Sequence, residues 1–525
     1  MDKNNNKDLN KSLKMLARGS LIVLIGVLIS KILTYLYKIV IARTFGPEIF
    51  GVFSLSLTVF SIFITLGSLG LSEGLLRYIA LYKGIGGSKV KHLIKFSIII
   101  SLFSGLIGAT ILFIFAETIS VNLFNSYNMT LFLKVFSIAI PISILSNIFL
   151  SILKAYEKVT LYTFIVNIFS NGIKVLLLII FILVGLKENA ILSSYFISIL
   201  GVAILSYIGC KKVLVRLLYE KDIASNEKKR LNREFFSYSW PILFLGAINI
   251  LFYWIDSFVI GYFKTATDVG FYNVSFTLVA LFGIAPELFM QLFFPIIVRE
   301  YSKKRIEMIR ELSKQVVKWI FILNLPLLII MFIFPGAVIN ILFGQEFLAA
   351  ESSLRILAVA GAFSSFSTLM NNLLSMKGKS KTILMNIIVT SIINLVLNII
   401  LVPSYGIVGA AIGTSISWII LNLMLFVEVK RQVSIIPLRR KMLKIAIASI
   451  IPTILLTVIK YYISVNLFTL IILTLLFVFL YLVLIFKMGC LDKNDLEILN
   501  NIRSYVYKNI LYKNHPLRVN DEISH

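Results

Sequence analysis

Cysteine, histidine and acidic residues are scarce in this chain of 525 residues, which has 2 cysteines, 3 histidines and 25 Asp+Glu against 51 Lys+Arg. Cys210 and Cys490 fall at predicted cytoplasmic helix ends, where thiols stay reduced. The histidines are scattered and show no metal-ligand spacing. The sequence also contains no phosphate-binding loop, nucleophile elbow or HExxH motif. We therefore expect no ATP hydrolysis, no catalytic residues, no bound metal and a protein that is not an enzyme.

Charged residues of either sign are also rare. They make up 14% of the chain, whereas soluble domains carry about a quarter. Hydrophobic residues make up 58%, the mean hydropathy is +0.93, and apolar runs of 18 or more residues recur along nearly the whole chain. These runs predict an all-α polytopic membrane protein. The first run is too long for a cleaved signal peptide.

The apolar runs predict fourteen transmembrane helices, and the charges between them predict their orientation. The spans lie near 19–42, 50–72, 93–115, 130–153, 160–184, 190–210, 237–261, 271–297, 316–335, 353–376, 383–402, 406–427, 443–462 and 465–487. Alternate connections are strongly basic, and the opposite set carries only Arg43, Lys187 and Lys264. The positive-inside rule then puts both termini in the cytoplasm. Basic loops facing anionic lipid also explain the net charge of +26 without a nucleic-acid partner.

An internal repeat relates the first six spans to the next six. Gly51 matches Gly270 and Thr58 matches Thr277 at an offset of 219 residues, and 133–158 resembles 354–379 at an offset of 221. We expect two six-helix lobes in the same orientation, with a substrate site between them. The predicted divisions are an N-terminal tail (1–18), an N-lobe (19–210), a basic linker (211–236), a C-lobe (237–427), a helix pair (443–487) and a cytoplasmic tail (488–525).

Lysines occur inside the predicted spans. A lysine at the middle of a membrane helix costs roughly 2.5–3.5 kcal/mol on insertion scales. Lys31, Thr34, Tyr35 and Lys38 share one helical face of the first span, and Lys174 lies in the fifth. Snorkelling to the membrane surface is an alternative for Lys38. Lys31 and Lys174 are more than two turns from either end, so we predict that they face a water-filled cavity.

Other polar residues accompany the lysines. Asn167 and Asn171 precede Lys174 at helical spacing, and Asn394 belongs to a series of residues at i+4 steps in the eleventh span. Asp256 and Glu287 are the acidic residues inside spans seven and eight. The asparagines could instead be hydrogen-bonding contacts between helices.

The excess of lysines over carboxylates predicts a cavity that selects an anion, and intramembrane carboxylates can bind the H⁺ or Na⁺ that drives a transporter. A buried ion pair between Lys38 and Asp256 is an alternative. Near the cytoplasmic end of the second span, Glu73 and Arg77 at i and i+4 predict a local salt bridge.

Several segments together resemble a known family. ARTFGPEIFGVFSL (42–55) is similar to its loop between spans 1 and 2, GLSEGLLRYIA (70–80) to the end of its second span, WIDSFVIGYF (254–263) to its seventh span, and VPSYGIVGAAIGTSIS (402–417) to its connection between spans 11 and 12. The family is the polysaccharide-biosynthesis flippases of the multidrug/oligosaccharidyl-lipid/polysaccharide (MOP) exporter superfamily. The resemblance covers residue 12 to about 487.

The resemblance implies two lobes in a V around a central cavity. It also implies a multi-pass protein of the cell membrane that moves polyprenyl-pyrophosphate-linked oligosaccharides from the cytoplasmic to the outer leaflet, supplied by glycosyltransferases and followed by a glycan polymerase. Lys31, Lys38 and Lys174 would bind the pyrophosphate, Asn167, Asn171 and Asn394 the sugars, and Asp256 or Glu287 the coupling H⁺ or Na⁺, with no other cofactor. A peptidoglycan-precursor (lipid II) flippase, a cation or drug antiporter and a non-transporting scaffold are the alternatives.

Overall fold

The computed structural model describes the backbone of residues 3–462 and 465–491, and the side chains from Ile25 onward except Asn249, Leu251 and Leu292. The rest of the predicted tail, 492–525, lies outside the described residues. In the described ranges every regular element is a helix. The α-helices are α1 (Lys3–Ser68), α2 (Leu71–Tyr82), α3 (Gly87–Glu117), α4 (Met129–Ala155), α5 (Val159–Thr163), α6 (Ser170–Leu183), α7 (Asn189–Leu218), α8 (Ser225–Phe263), α9 (Ala266–Val279), α10 (Ile284–Ser302), α11 (Ile306–Ile333), α12 (Pro335–Leu342), α13 (Glu351–Ser364), α14 (Ser367–Met376), α15 (Ser380–Glu428), α16 (Lys441–Tyr462) and α17 (Leu467–Lys487).

Within the described residues, eleven helical segments are long and apolar enough to cross a membrane, or twelve if the two bent parts of α8 form one span. The chain is therefore a polytopic helical membrane protein. Fourteen crossings stay a prediction, which depends on how the two longest helices are counted.

Those two helices, α1 and α15, each fold back on themselves. The reversals are at Gly46 (φ +76°) and Gly406 (φ +54°), conformations that glycine adopts easily. The rings of Tyr37 and Phe53 have centroids 6.0 Å apart, although a straight helix would separate them by roughly 24 Å. Each element is thus a pair of antiparallel helices.

The helices pack in two groups. Helices α1 to α7 pack mainly on one another, as do α8 to α15, while α16 and α17 pack against α11. We call the first group the N-half and the second the C-half. Contacts between the halves come chiefly from α1 against α8 and α9, and from α2 against α8.

The halves meet at a glycine crossing between α1 and α9, on the predicted outer side. A Cβ atom at Gly51 would collide with the carbonyl oxygen of Ala266, and one at Gly270 with that of Pro47. Each carbonyl lies four residues before the opposing glycine, so the contact has approximate two-fold symmetry. The two glycines that the sequence repeat matches therefore face each other, and the lack of side chains lets the backbones touch.

The predicted linker 211–236 is largely helical rather than a loop. Helix α7 extends to Leu218 and α8 already begins at Ser225. Leu231 and Phe235, one turn apart, are buried against residues of α2 and α3. This apolar pair fixes an otherwise charged helix start to the N-half, which the charge pattern alone does not indicate.

Candidate functional site

Lys31 forms an ion pair that joins the two halves. Its Nζ atom lies 3.2 Å from a carboxylate oxygen of Glu287, on α10 of the C-half. The two side chains are 40% and 42% exposed. The pair is accessible rather than enclosed, so an anion can compete for the ammonium group.

Lys38, two turns further along α1, makes a second contact between the halves. Its ammonium group donates a hydrogen bond of 3.0 Å to the hydroxyl of Thr277, on α9. The alternative ion pair with Asp256 is wrong, because that carboxylate lies in a separate cluster inside the C-half. Thr277 was found from the sequence only as the repeat partner of Thr58.

Lys174 stays within the N-half. Its ammonium group lies 5.2 Å from the centroid of the Tyr195 ring, a cation–π contact. In the described part of the chain it makes no ion pair with a carboxylate. Tyr195 itself packs edge-on against Phe53, so an aromatic cluster holds the lysine.

Asn171 connects the fifth predicted span to the first. Its amide donates a hydrogen bond of 2.9 Å to the Ser30 hydroxyl, and its oxygen accepts one of 3.4 Å from Thr34. Asn167 lies one turn earlier, in a π-helical turn, and its carbonyl accepts from Asn171. Both asparagines are half-buried and lie beside the segment of α1 that carries Lys31.

Asp256 is the centre of a buried polar cluster in the C-half. Its side chain is 2% exposed and accepts hydrogen bonds from the Tyr272 hydroxyl (2.7 Å) and the Asn398 amide (2.9 Å). The Tyr272 hydroxyl is also 3.2 Å from the hydroxyl of Thr414. Within the described residues the Asn394 amide nitrogen and the Asn398 side-chain oxygen have no hydrogen-bond partner.

Asn394 lies in this Asp256 cluster rather than beside Asn167 and Asn171. It is fully buried and hydrogen-bonded to Asn398. Its role in sugar binding stays a prediction, and the i+4 spacing fixes the helical face but not which neighbour covers it. Tyr272 and Thr414 were not predicted from the sequence, and their only signal is a polar group within an apolar span.

Arg43 joins the halves on the predicted outer side. Its guanidinium donates to the carbonyls of Leu342 (2.9 Å), Asn340 (3.2 Å) and Ile341, at the end of α12. A cation is stabilised at a helix C-terminus by the free carbonyl groups and the helix dipole. Arg43 is thus a capping residue for a helix of the opposite half.

Two protein-family models match the chain. The model described as polysaccharide biosynthesis protein matches residues 16–299, more than half of the chain, and the model of the lipid II flippase MurJ matches residues 212–484.

Curated relatives match over shorter regions. An uncharacterised membrane protein of Methanocaldococcus jannaschii is 28% identical over 225 residues, 43% of this chain and 44% of the relative. The probable low-salt glycan biosynthesis flippase of Haloferax volcanii is 28% identical over 187 residues, 35% of this chain and 39% of the relative. The putative O-antigen transporter of Shigella flexneri is 26% identical over 198 residues, 38% of this chain and 46% of the relative. The chain thus matches less than half the length of each of these relatives.

Solved structures share the fold at low sequence identity. The inward-closed conformation of the lipid II flippase MurJ superimposes with a TM-score of 0.70 at 19% identity, covering 88% of this chain and 98% of that one. An inward-facing multidrug resistance transporter of the MOP superfamily gives a TM-score of 0.62 at 16% identity, covering 79% and 98%. The family model that matches residues 16–299 shows that the chain belongs to the polysaccharide biosynthesis protein family, and the solved structures show that it shares the fold of a lipid II flippase and of a transporter of the MOP superfamily.

Proposed function

We propose that this chain is a secondary-transport flippase that moves a polyprenyl-pyrophosphate-linked oligosaccharide from the cytoplasmic to the outer leaflet of the cell membrane. The proposal includes fourteen crossings with both termini in the cytoplasm, each half of α1 and α15 being one span. The observation that carries the proposal is the accessible ion pair of Lys31 with Glu287 between the halves. Lys38 lies two turns further along α1, and Lys174 lies on α6.

The lysines bind the pyrophosphate. Lys31 meets it first, because its side chain is 40% exposed, and the more highly charged pyrophosphate replaces the Glu287 carboxylate as its partner. Lys38 and Lys174 lie deeper and complete the site, while Asn167 and Asn171 bind sugar hydroxyl groups. Glu287 then holds Lys31 when no substrate is bound, which fits its position better than ion coupling does.

The Asp256 cluster binds the coupling ion. Hydroxyl, amide and carboxylate oxygens from three helices converge there, and the Asn398 oxygen has no partner among the described residues. Such a set suits a proton or a small hard cation such as Na⁺. Asn394 belongs to this site in the proposal.

A lipid II flippase is the second candidate, favoured by the match of residues 212–484 to the MurJ family model. The two candidates share the pyrophosphate site and differ only in the head group. A drug antiporter needs an acidic cavity for its cationic substrates, which the three lysines do not provide.

The test is translocation by the purified full-length chain in liposomes. Fluorescent undecaprenyl-pyrophosphate-linked oligosaccharide and fluorescent lipid II serve as parallel probes, and loss of inner-leaflet probe is followed with an impermeant quencher. We expect transport of the oligosaccharide probe, and at least tenfold slower transport by Lys31→Ala and Lys174→Ala, because a charge-assisted hydrogen bond is lost in each. Lys187→Ala, in a predicted outer connection, is the matched control.

Normal rates in both cavity variants would remove the anion site, and transport of lipid II alone would favour the second candidate. Growth in ethidium or norfloxacin separates the antiporter, since only an antiporter relieves that toxicity.

A further inference from the structure

A polar cleft lies between the halves at the predicted cytoplasmic end, and Lys31, Lys38 and Lys174 do not line it. Its volume is about 380 Å³. The polar side chains on the N-half side include Ser72, Glu73, Asn147, Ser151, Lys154 and Tyr162, and α8 supplies the opposite wall, which includes Leu243 and Gly246. None of these residues is used in the proposed transport mechanism.

The break between α1 and α2 builds this cleft. Leu69 (φ +49°) and Gly70 (φ +68°) both adopt the left-handed conformation, which reorients the chain before α2 begins. A Cβ atom at Gly70 would collide with the carbonyl oxygen of Ser239 on α8. The break therefore turns Ser72 and Glu73 toward the cleft while fixing the end of α1 against the C-half.

Two polar side chains of the cleft are not satisfied by a protein partner in the described part of the chain. The Ser72 hydroxyl is shielded from solvent and has no hydrogen-bond partner within the described residues, and Glu73 makes no ion pair there. The predicted salt bridge of Glu73 with Arg77 is wrong, because the Arg77 guanidinium stacks 4.1 Å from the centroid of the Tyr238 ring. Also on the N-half side, the Lys154 ammonium lies 5.1 Å from the centroid of the Tyr162 ring.

Hydroxyl, amide and carboxylate groups around an aromatic ring match the chemistry of a sugar. The polar groups exchange hydrogen bonds with sugar hydroxyls, and the tyrosine offers an apolar face to the ring's C–H groups. Lys154 adds a positive charge for an acidic sugar.

The cleft is aligned with the proposed pyrophosphate site. Along one span Tyr162 is followed by Asn167, Asn171 and Lys174, so the cleft is about 18 Å from the deepest lysine at 1.5 Å per residue. A head group whose pyrophosphate reaches Lys31 extends its sugars toward the cleft. We propose that the cleft is a sugar subsite, which binds the glycan of the head group before transport. This inference rests on the proposed flippase function.

The experiment compares two probes on the full-length chain in lipid nanodiscs: undecaprenyl pyrophosphate, and undecaprenyl pyrophosphate linked to di-N-acetylchitobiose. We expect wild type to bind the sugar-bearing probe about tenfold more tightly than the sugar-free probe. Hydrogen bonds from sugar hydroxyls to the charged Glu73 carboxylate are strong enough for a difference of this size. Glu73→Gln and Asn147→Leu should each reduce this preference to about twofold while leaving the affinity for the sugar-free probe unchanged. Asn128→Leu, at the predicted outer end, is the matched control.

Equal affinity of wild type for the two probes, or an undiminished preference in both variants, overturns the sugar subsite. Failure of the proposed function looks different, because wild type would then bind neither probe and Lys31→Ala would change nothing. Since Glu73 and Asn147 are both exposed in the cleft, their replacement removes no core packing.

Discussion

The contacts of Lys31 and Lys38 and the cluster around Asp256 differ in what holds them. Lys31 and Lys38 in the N-half bond to Glu287 and Thr277 in the C-half, so their contacts span the boundary. Asp256 instead bonds to residues of its own half and is 2% exposed. Contacts across the boundary must break when the halves move, whereas those within one half can persist. The comparison suggests that substrate binding and ion binding are divided between these clusters.

Helix α9 links the two clusters. Tyr272 donates to Asp256, and Thr277, five residues later on the same helix, accepts from Lys38. A change in the charge at Asp256 that shifts Tyr272 would move Thr277 with it. The same helix carries Gly270 at the crossing with α1, so the proposed ion site, the proposed substrate site and the contact between the halves meet on one helix.

Of the substitutions that test this division between the clusters, Asp256→Asn should have the largest effect on transport. The amide keeps the size of the side chain but removes the negative charge that accepts hydrogen bonds from Tyr272 and Asn398 and that we propose binds the coupling ion. We expect ion-stimulated transport to fall by roughly 10- to 100-fold, as loss of charge-assisted hydrogen bonds implies. Binding of undecaprenyl pyrophosphate should stay unchanged, since the lysines are intact. Transport in liposomes with and without an H⁺ or Na⁺ gradient measures the ion-stimulated rate. Titration in nanodiscs measures the binding of undecaprenyl pyrophosphate. A parallel loss of binding would show that the clusters are one site.

Gly270→Leu should have the next largest effect, because a side chain there would overlap the carbonyl of Pro47. We expect the halves to separate on the predicted outer side and transport to fall about tenfold, as the overlap opposes closure by at least 1.4 kcal/mol. Spin labels at Tyr127→Cys and Tyr405→Cys, both exposed, measure the separation after Cys210 and Cys490 are replaced by serine.

Gly283→Leu is the control for a leucine in open space, since nothing lies near a Cβ atom there. An unchanged distance in Gly270→Leu would mean that the crossing does not hold the closed arrangement.

Glu287→Gln tests whether the cross-boundary ion pair competes with the substrate. Removing the carboxylate frees the Lys31 ammonium, so we expect undecaprenyl pyrophosphate to bind about two- to fivefold more tightly. The effect is small because a partly exposed ion pair contributes only about 0.2–1 kcal/mol. Titration in nanodiscs measures it, with Glu351→Gln, from the exposed pair with Arg355, as the control. Weaker binding in Glu287→Gln would contradict the competition.

The sequence predicted the faces of helices better than the contacts between them. The spacing of Lys31 and Lys38 correctly placed both on one face, because periodicity within a helix is local. It did not identify Thr277 as the partner of Lys38, since the pairing depends on how α1 crosses α9. Nor did the sequence show that Asn394 packs near Asp256 rather than beside Asn167, for the same reason. Tyr272 and Thr414 were missed because an isolated hydroxyl in an apolar span carries no signal until the helices are packed together.

Arg43→Gln should have the smallest effect and refines the comparison at the predicted outer end. The arginine caps the last carbonyls of α12, and a cation at a helix end contributes about 0.3–1 kcal/mol. We expect the labels at Tyr127→Cys and Tyr405→Cys to report an open population about two- to fivefold larger. Arg43→Lys keeps the charge but not the planar fork that reaches several carbonyls, so it should recover only part of the closure. If Arg43→Gln left the distance distribution unchanged while Gly270→Leu opened it, the glycine crossing alone would hold the two halves together on the predicted outer side. The contacts between the halves would then be of two kinds. The glycine crossing would close the outer side, and the contacts of Lys31 and Lys38 would respond to substrate.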